Sequence, residues 1–164
     1  MFHFKKPAQR IRLTDEEKAL LGTFHLREVL NQESVDSGGF ANVKKGVYNG
    51  KAVIVKIIKH GSENAFKRII KEVKIIKRCE HENIIELLGI CTNELAIMLP
   101  FMEFSFTTHE PSDTHVSYSL RDFFKHCGPA VSAFDGPFSH LPMVVAKQLV
   151  SGIRHMHSLG KFLY

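Results

Sequence analysis

The sequence predicts an α+β fold, in which a region of strands is followed by a region of helices. Apolar runs of strand length fill most of residues 26–102, and only residues 63–78 among them show a helical period. Asn49-Gly50 separates two of these runs and is the strongest short signal for a hairpin of antiparallel strands. Two helical segments follow the strands, at residues 120–126 and 141–159.

Composition limits the class of protein. The chain has 164 residues, of which 44% are hydrophobic, so it can bury one substantial core, and it contains no apolar run near the length of a membrane span. Its N-terminus lacks the pattern of a secretory signal, and Cys79, Cys91 and Cys127 form no C-x-x-C pair. We therefore expect a cytoplasmic protein with free thiols. The net charge of +5 suits an anionic ligand, but the basic residues are dispersed, so we expect no nucleic-acid partner.

The element order follows from local signals. Thr14 and Glu17 form a capping box, which predicts a short helix that ends before Gly22. Ser62 is the predicted N-cap of the helix at 63–78. Five strands are predicted, three before this helix and two after it: 26–35, 43–48, 52–59, 84–92 and 95–102. Residues 104–117 are polar and unpatterned, and they predict a solvated loop.

The helix at 63–78 contains a local conflict. Its apolar face includes Ile69, Val73 and Ile76, and Glu72 falls within the same arc. Burial of a carboxylate costs about 3–5 kcal/mol unless it forms an ion pair with a cation. Lys56 on the third strand is the obvious partner. The alternative is that Glu72 lies at the margin of the apolar stripe and reaches water. The helical wheel alone leaves these two interpretations open.

Several motifs together resemble the small lobe of a eukaryotic protein kinase, with features of tyrosine kinases and their close relatives. They are Val53-Ile54-Val55-Lys56, Glu72, His81-Glu82-Asn83-Ile84-Ile85 and Leu87-Leu88-Gly89-Ile90-Cys91-Thr92. Further along, Ser119-Leu120-Arg121-Asp122-Phe123-Phe124 resembles the helix after the hinge. The segment from Gln148 to Ser158 resembles the long helix before the catalytic loop.

The resemblance implies a five-stranded antiparallel sheet with one packed helix, followed by an incomplete helical large lobe. We expect four segments: an N-terminal extension with a short helix (1–25), the small lobe and hinge (26–103), an insert loop (104–118) and the truncated start of the large lobe (119–164). In this family the lysine that matches Lys56 pairs with the helix glutamate, here Glu72, and contacts the α- and β-phosphates of ATP.

The implied phosphate loop departs from the family pattern. When Val43 is aligned with the valine of G-x-G-x-x-G-x-V, Gly38 falls on the second glycine, whereas Asp36 and Ala41 replace the first and third. Gly38 and Gly39 still allow backbone N–H groups to approach phosphate. The carboxylate of Asp36 would repel a triphosphate, so we expect weakened ATP binding.

The implied adenine site also differs from the pattern. Ile54 occupies the position where the family usually has a small alanine, which crowds the pocket. Val35 and Val43 would cover the ring, Leu99 would lie at its back, and Met102 would supply hinge hydrogen bonds through its backbone. The alternative for these apolar residues is plain core packing, because strand residues of this kind are more often core than ligand wall.

The family's catalytic motifs are absent from the 164 residues. Phe162 and Leu163 match the apolar pair before the family's His-Arg-Asp triplet, and Tyr164 falls on its histidine. The catalytic Asp and the Asp-Phe-Gly metal ligand do not occur, so magnesium would lack its protein anchor. We expect that this polypeptide alone transfers no phosphoryl group. The sequence predicts no metal site of its own.

Two other functions stay open. A non-catalytic kinase-like module that binds a partner protein is supported by Asp36, Ala41 and Ile54. A metal or nucleic-acid site has its best evidence in His155 and His157, but residues two apart on a helix point in different directions. The helix at 141–159 carries an apolar stripe that the rest of a large lobe would cover in a complete kinase. We expect self-association or a partner protein at this stripe.

Overall fold

The computed structural model describes residues 13–37, 39, 41–59, 63–107, 114–117, 119, 123–125 and 140–160. These residues belong to two compact units. The first unit comprises residues 1–80 and 85–100, and the second comprises residues 81–84 and 101–164. Some residues that carry predictions lie outside the described ranges: Gly38, Ser62, Cys127 and residues 162–164.

The first unit contains an antiparallel sheet of five strands in the order β1-β2-β3-β5-β4. The predicted α+β class is therefore confirmed. Asn49 and Gly50 form the turn between β2 and β3, and both have positive φ, which explains why this dipeptide occurs here. The strands are β1 (Leu30–Ser37), β2 (Ala41–Tyr48), β3 (Lys51–Ile58), β4 (Gly89–Cys91) and β5 (Ala96–Pro100).

Two helices of the first unit lie where the sequence predicts them. Helix α1 spans Asp15–Leu21 and begins with a capping box. The Thr14 hydroxyl accepts a hydrogen bond of 3.2 Å from the Glu17 backbone N–H, and the Glu17 carboxylate accepts one of 2.9 Å from the Thr14 backbone N–H. Gly22 follows it with a φ of +69°. Helix α2 spans Glu63–Arg78. The predicted apolar stripe includes Val73, which is buried, but it does not include Ile70, which is buried as well.

The sheet separates two apolar clusters, because successive residues of a strand point to opposite faces. The outer cluster contains Val53 and Val55 of β3, packed with Phe24, Val29 and Met98. The inner cluster lies between the other face and the helices, and it contains Leu13, Leu21, Ile70, Val73, Leu87 and Ile90. Burial of Cys79 and Cys91 agrees with the prediction of free thiols. Burial raises the pKa of the Cys91 thiol, which donates a hydrogen bond to Glu94.

Two predicted strands begin several residues later than expected. Leu26–Glu28 forms a 3₁₀ turn, in which the Glu28 carboxylate accepts a hydrogen bond from the backbone N–H of His25. The predicted strand at 84–92 is reduced to Gly89–Cys91, an edge strand of the sheet that pairs with β5. His81 starts a turn before it, since its Nδ1 accepts a hydrogen bond from the backbone of Asn83. Side-chain contacts with the backbone therefore replace strand pairing in both places.

The prediction of a loop at 104–117 is wrong for both ends of that segment. Strands β6 (Phe104–Thr107) and β7 (Thr114–Ser117) pair in an antiparallel hairpin. The Phe104 ring lies 5.6 Å from the ring of Phe123, which is almost fully buried. Residues 123–125 are helical, in agreement with part of the helix predicted at 120–126. The contact between Phe104 and Phe123 joins residues that are distant in the chain, so no local sequence pattern predicts it.

Helix α3 (Leu141–Ser158) belongs to the second unit and confirms the helix predicted at 141–159. The 81–84 turn contacts it at Gly152, where a Cβ atom would meet the Asn83 carbonyl oxygen at 3.4 Å. The His81 ring also lies 5.0 Å from the ring of His155, and its Nε2 is 3.2 Å from the Ser151 hydroxyl. In the described part of the chain, no helix has the length and apolar character needed to cross a membrane.

A substitution at Gly46 tests the packing of β1 on β2. A Cβ atom at this position would lie 2.5 Å from Val29 Cγ1 and 2.9 Å from the Leu30 carbonyl oxygen. We expect Gly46→Ala to lower the free energy of unfolding by about 1–3 kcal/mol in urea titrations, because backbone must shift to admit the methyl group. Gly39→Ala is the control, since no described atom lies within 4 Å of its added Cβ. Equal stability of the two variants would contradict this packing.

Candidate functional site

The inner face of the sheet brings together four residues that the resemblance assigns to nucleotide binding. Val43 lies opposite Lys56, and Lys56 lies opposite Ile97 of β5. Ile54 lies opposite Leu99 and is two residues from Lys56, so it shares this face. The strand register thus places Val43, Ile54, Lys56 and Leu99 side by side on one surface.

Helix α2 covers only part of this surface. Ile97 and Leu99 pack against the cluster that contains Ile70 and Val73 of α2. Val43 and Ile54 are half-buried rather than fully buried, in contrast to Val53 and Val55 on the opposite face. The open part of the inner face therefore combines apolar side chains with Lys56, and Lys45 lies opposite Ile54 on the same face. Such a combination suits a ligand that joins a flat apolar ring to an anionic group.

Lys56 and Glu72 are both exposed. Of the ion pairs in the described part of the chain, those at Lys18–Asp15, Lys74–Glu17 and Lys77–Glu86 are formed, and none joins Lys56 to Glu72. Exposure of Glu72 favours the interpretation in which it lies at the margin of the apolar stripe and reaches water. The roles of Lys56 and Glu72 in nucleotide binding stay predictions.

The glycine-containing turn connects β1 to β2 at the edge of the same surface. Asp36 lies opposite Val43, in one row with Lys56, so its carboxylate is placed on the inner face two strands from the lysine. This spacing corresponds to about 10 Å between backbones. Gly39 adjoins open space, whereas Gly38 is not described. The effect of Asp36 on an anionic ligand stays a prediction.

Two predicted site residues are strongly exposed. Val35 is 56% exposed and lies where the pairing of β1 with β2 shifts register between Ser34 and Asp36. Met102 is 66% exposed and belongs to the second unit, two residues beyond the end of β5. The structure places neither side chain in a packed environment. Their contacts with a nucleotide stay predictions.

A group of polar side chains braces the glycine turn, and the sequence analysis missed it. The Ser37 hydroxyl donates a hydrogen bond of 2.9 Å to Asn42 Oδ1, and Lys59 Nζ donates one of 2.9 Å to the Ser37 hydroxyl. Ser37 and Asn42 lie directly opposite each other, next to the row of Asp36 and Val43. By alternation they occupy the outer face. The signal in the sequence is weak, consisting of two small polar residues that flank the turn.

Comparisons with known proteins agree on one family. Residues 29–112 match the family described as protein tyrosine and serine/threonine kinase. Epithelial discoidin domain-containing receptor 1 of Homo sapiens is 32% identical over 162 residues, which cover 94% of this chain and 17% of the receptor. Wall-associated receptor kinase-like 15 of Arabidopsis thaliana is 30% identical over 126 residues, which cover 74% of this chain and 18% of that protein.

A third relative, dual specificity protein kinase pyk3 of Dictyostelium discoideum, is 34% identical over 76 residues, or 46% of this chain and 6% of its own. The chain thus spans less than a fifth of the length of these three relatives. The matched part of the family, residues 29–112, contains the whole five-stranded sheet and α2.

Removal of the Asp36 charge tests whether this carboxylate opposes an anionic ligand. We expect Asp36→Gly and Asp36→Asn to bind an ATP analogue about three- to tenfold more tightly than the parent, because one repulsive charge near the phosphates is lost. Isothermal titration at low and high salt measures this effect, which should shrink as salt screens the charge. Asp36→Glu keeps the charge and is the matched control. If both neutral variants bind the ATP analogue with the affinity of the parent, the proposed repulsion is refuted.

Proposed function

The chain belongs to the protein tyrosine and serine/threonine kinase family, and from this premise we propose that its sheet and α2 form the ATP-binding half of a protein kinase domain. The observation that carries the proposal is the shared inner face of Val43, Ile54 and Lys56, which is partly open and combines apolar side chains with a cation. A purine needs apolar walls, and its phosphates need a cation at one end of them.

Each residue then has a proposed role. Lys56 contacts the α- and β-phosphates, and Glu72 orients Lys56 when α2 brings its carboxylate within reach. Backbone N–H groups of Gly38 and Gly39 approach the phosphates, because glycine has no side chain to prevent it. The adenine ring contacts Val35, Val43, Ile54 and Leu99, and the backbone of Met102 supplies the hydrogen bonds of the hinge.

The proposed reaction of the complete domain is transfer of the γ-phosphoryl group of ATP to a protein hydroxyl, with magnesium bound to the phosphates. The 164 residues contain no His-Arg-Asp and no Asp-Phe-Gly triplet. We therefore propose that this chain by itself binds nucleotide without transferring phosphate. The cytoplasm is the proposed compartment, which suits the buried free thiols of Cys79 and Cys91.

A non-catalytic binding module is the second candidate function. The observation that favours it is the position of Asp36 in the same row as Lys56, where its charge opposes a triphosphate. Ile54 adds three carbons relative to alanine on the same face. In this case the chain acts by binding a partner protein, and the inner face is occupied weakly or not at all by nucleotide.

The Lys56→Ala variant separates these two functions. We expect the parent to show a thermal shift with a non-hydrolysable ATP analogue, and we expect Lys56→Ala to weaken binding about tenfold or more, because a charged hydrogen bond to phosphate is lost. Lys51→Ala, at the start of the same strand, is the matched control and should bind as the parent does. Release of inorganic phosphate from ATP, measured in parallel, should stay at background. Binding that is insensitive to Lys56 would contradict the proposed site.

Helix α3 is proposed as a surface for self-association or for a partner protein. Several of its apolar side chains are exposed: Met143, Val144, Leu149, Val150 and Ile153. Together they form more apolar surface than a single scattered residue would, and such surfaces promote association. The proposal concerns the 164-residue chain, in which these residues face solvent.

Substitution of two exposed residues tests the role of α3. We expect the parent to sediment as a concentration-dependent mixture, and we expect Leu149→Gln with Val150→Gln to shift it toward monomer, because apolar area is removed from the contact. Arg154→Gln, on the same helix, changes an exposed polar residue and is the control. Sedimentation velocity over a hundredfold range of concentration measures the effect. A parent that stays monomeric over this range would refute self-association.

A further inference from the structure

One face of helix α2 carries a row of four basic residues. They recur at intervals of three or four positions, so their directions fall within about 60° around the helix axis. The row is about 16 Å long, since each residue of a helix adds about 1.5 Å. We call these four residues the basic stripe: Lys67, Lys71, Lys74 and Arg78. Basic residues that are dispersed along the sequence are thus gathered on one surface by the helix.

The basic stripe faces away from the core. Lys67, Lys71 and Arg78 are exposed, and Lys74 is half-buried. Val73, which is buried, lies about 130° around the helix from the middle of the stripe. In the described part of the chain, no hydrogen bond or ion pair engages the side chain of Lys71 or of Arg78. These two cations are therefore available to a ligand from outside the chain.

The spacing of the stripe is unfavourable for the helix itself. Lys71 lies four residues after Lys67 and three before Lys74, and Arg78 lies four residues after Lys74. Like charges at these spacings are neighbours on the helix surface and destabilise it. Glu72 does not relieve the repulsion, because it points about 100° away from Lys71. A merely solvated face usually mixes both signs of charge, so an unfavourable row of one sign is typical of a functional surface.

Helix α1, which belongs to the N-terminal segment at residues 13–24, already places one carboxylate on the stripe. Glu17 of α1 accepts a hydrogen bond from Lys74 Nζ. This hydrogen bond holds the pKa of Glu17 below its ordinary value of 4.5, so the carboxylate is charged at neutral pH. Lys71 and Arg78 lie one helical turn before and after Lys74. Further carboxylates in line with Glu17 would therefore meet both of them.

A narrow anionic ligand fits this surface better than a wide one. Asp15 and Glu16 are exposed on α1, the helix that contacts Lys74. An anionic bilayer or a nucleic-acid duplex is wider than one helix face, so it would also bring its charge against these two carboxylates. A peptide segment can follow the stripe alone. Carboxylates one helical turn apart, about 5–6 Å, match the spacing of the cations.

We propose that the basic stripe docks an acidic peptide segment of a partner protein. Carboxylates of this segment pair with Lys71 and Arg78 and extend the contact that Glu17 makes with Lys74. The stripe points away from the sheet, so the inference does not rest on the proposed nucleotide site. It assigns a surface and a partner chemistry to the net charge of +5.

Fluorescence anisotropy of the full chain with labelled octaglutamate at low salt tests the docking. We expect the parent to bind, and we expect Lys71→Glu with Arg78→Glu to weaken binding about tenfold or more, because two attractive charges become repulsive. Arg27→Glu with Lys51→Glu is the matched control, since both residues are exposed in the same unit and the net charge changes equally. No binding by the parent, or an equal loss in both double variants, would overturn the proposal.

Vesicles that contain phosphatidylserine and a DNA duplex are measured in parallel with the same variants. We expect both to bind more weakly than octaglutamate, because the carboxylates of α1 repel a wide anionic surface. If either binds more tightly than octaglutamate and loses this affinity in the Lys71→Glu, Arg78→Glu variant, the occupant is not an acidic peptide and the proposal is overturned. No nucleotide is used, so these results are independent of the proposed function.

The melting temperature tests whether the stripe is unfavourable for the fold. We expect Lys71→Gln to raise it by about 1–4 °C at low salt, because two like-charge neighbours are lost. The gain should shrink at high salt, which screens the repulsion. Lys51→Gln is the control and should melt as the parent does. A lower melting temperature of Lys71→Gln would show that Lys71 supports the fold, and it would overturn a stripe that is kept for docking.

Discussion

Strand β3 is the element on which the rest of the first unit depends. It pairs with β2 along its whole length and with β5 from Val53 to Ile57, so most of its backbone is held on both edges. Its side chains alternate between two different environments. Val53 and Val55 are almost fully buried in the outer cluster, whereas Ile54 and Lys56 face the inner side. A register slip of one residue would exchange the two sets, exposing the valines and burying a charged lysine.

The same alternation connects packing to the candidate site. Because Val55 must point outward, Lys56 must point inward, next to Val43 and Ile97. Helix α2 covers the inner face on the side of Ile97 and Leu99. Leu13 and Leu21 of the N-terminal segment pack in the same cluster as α2. The site is therefore built from three layers: the sheet, α2 and the N-terminal segment.

The chain keeps the family's frame and alters the details of its site. The sheet order, the lysine on β3 and the helix after it are present, within the range that matches the family. Asp36 and Ile54 introduce a charge and a bulky side chain on the face that would receive a nucleotide. The second unit differs from the expected solvated loop by its β6–β7 hairpin, which packs Phe104 against Phe123. The differences from the family pattern thus lie in residues that leave the frame unchanged.

Local chemistry in the sequence determined the elements that have strong local signals. The Asn49-Gly50 turn, the capping box of Thr14 and Glu17, and the apolar period of α2 each act within a few residues, so the pattern alone predicts them. The tertiary structure decided where Glu72 lies, because a residue at the margin of an apolar stripe is exposed or buried according to how its helix is rolled. It also decided the partner of Lys74 and the pairing of β6 with β7. Those contacts join residues that are distant in the chain, and their free energy exists only when packing brings both partners together.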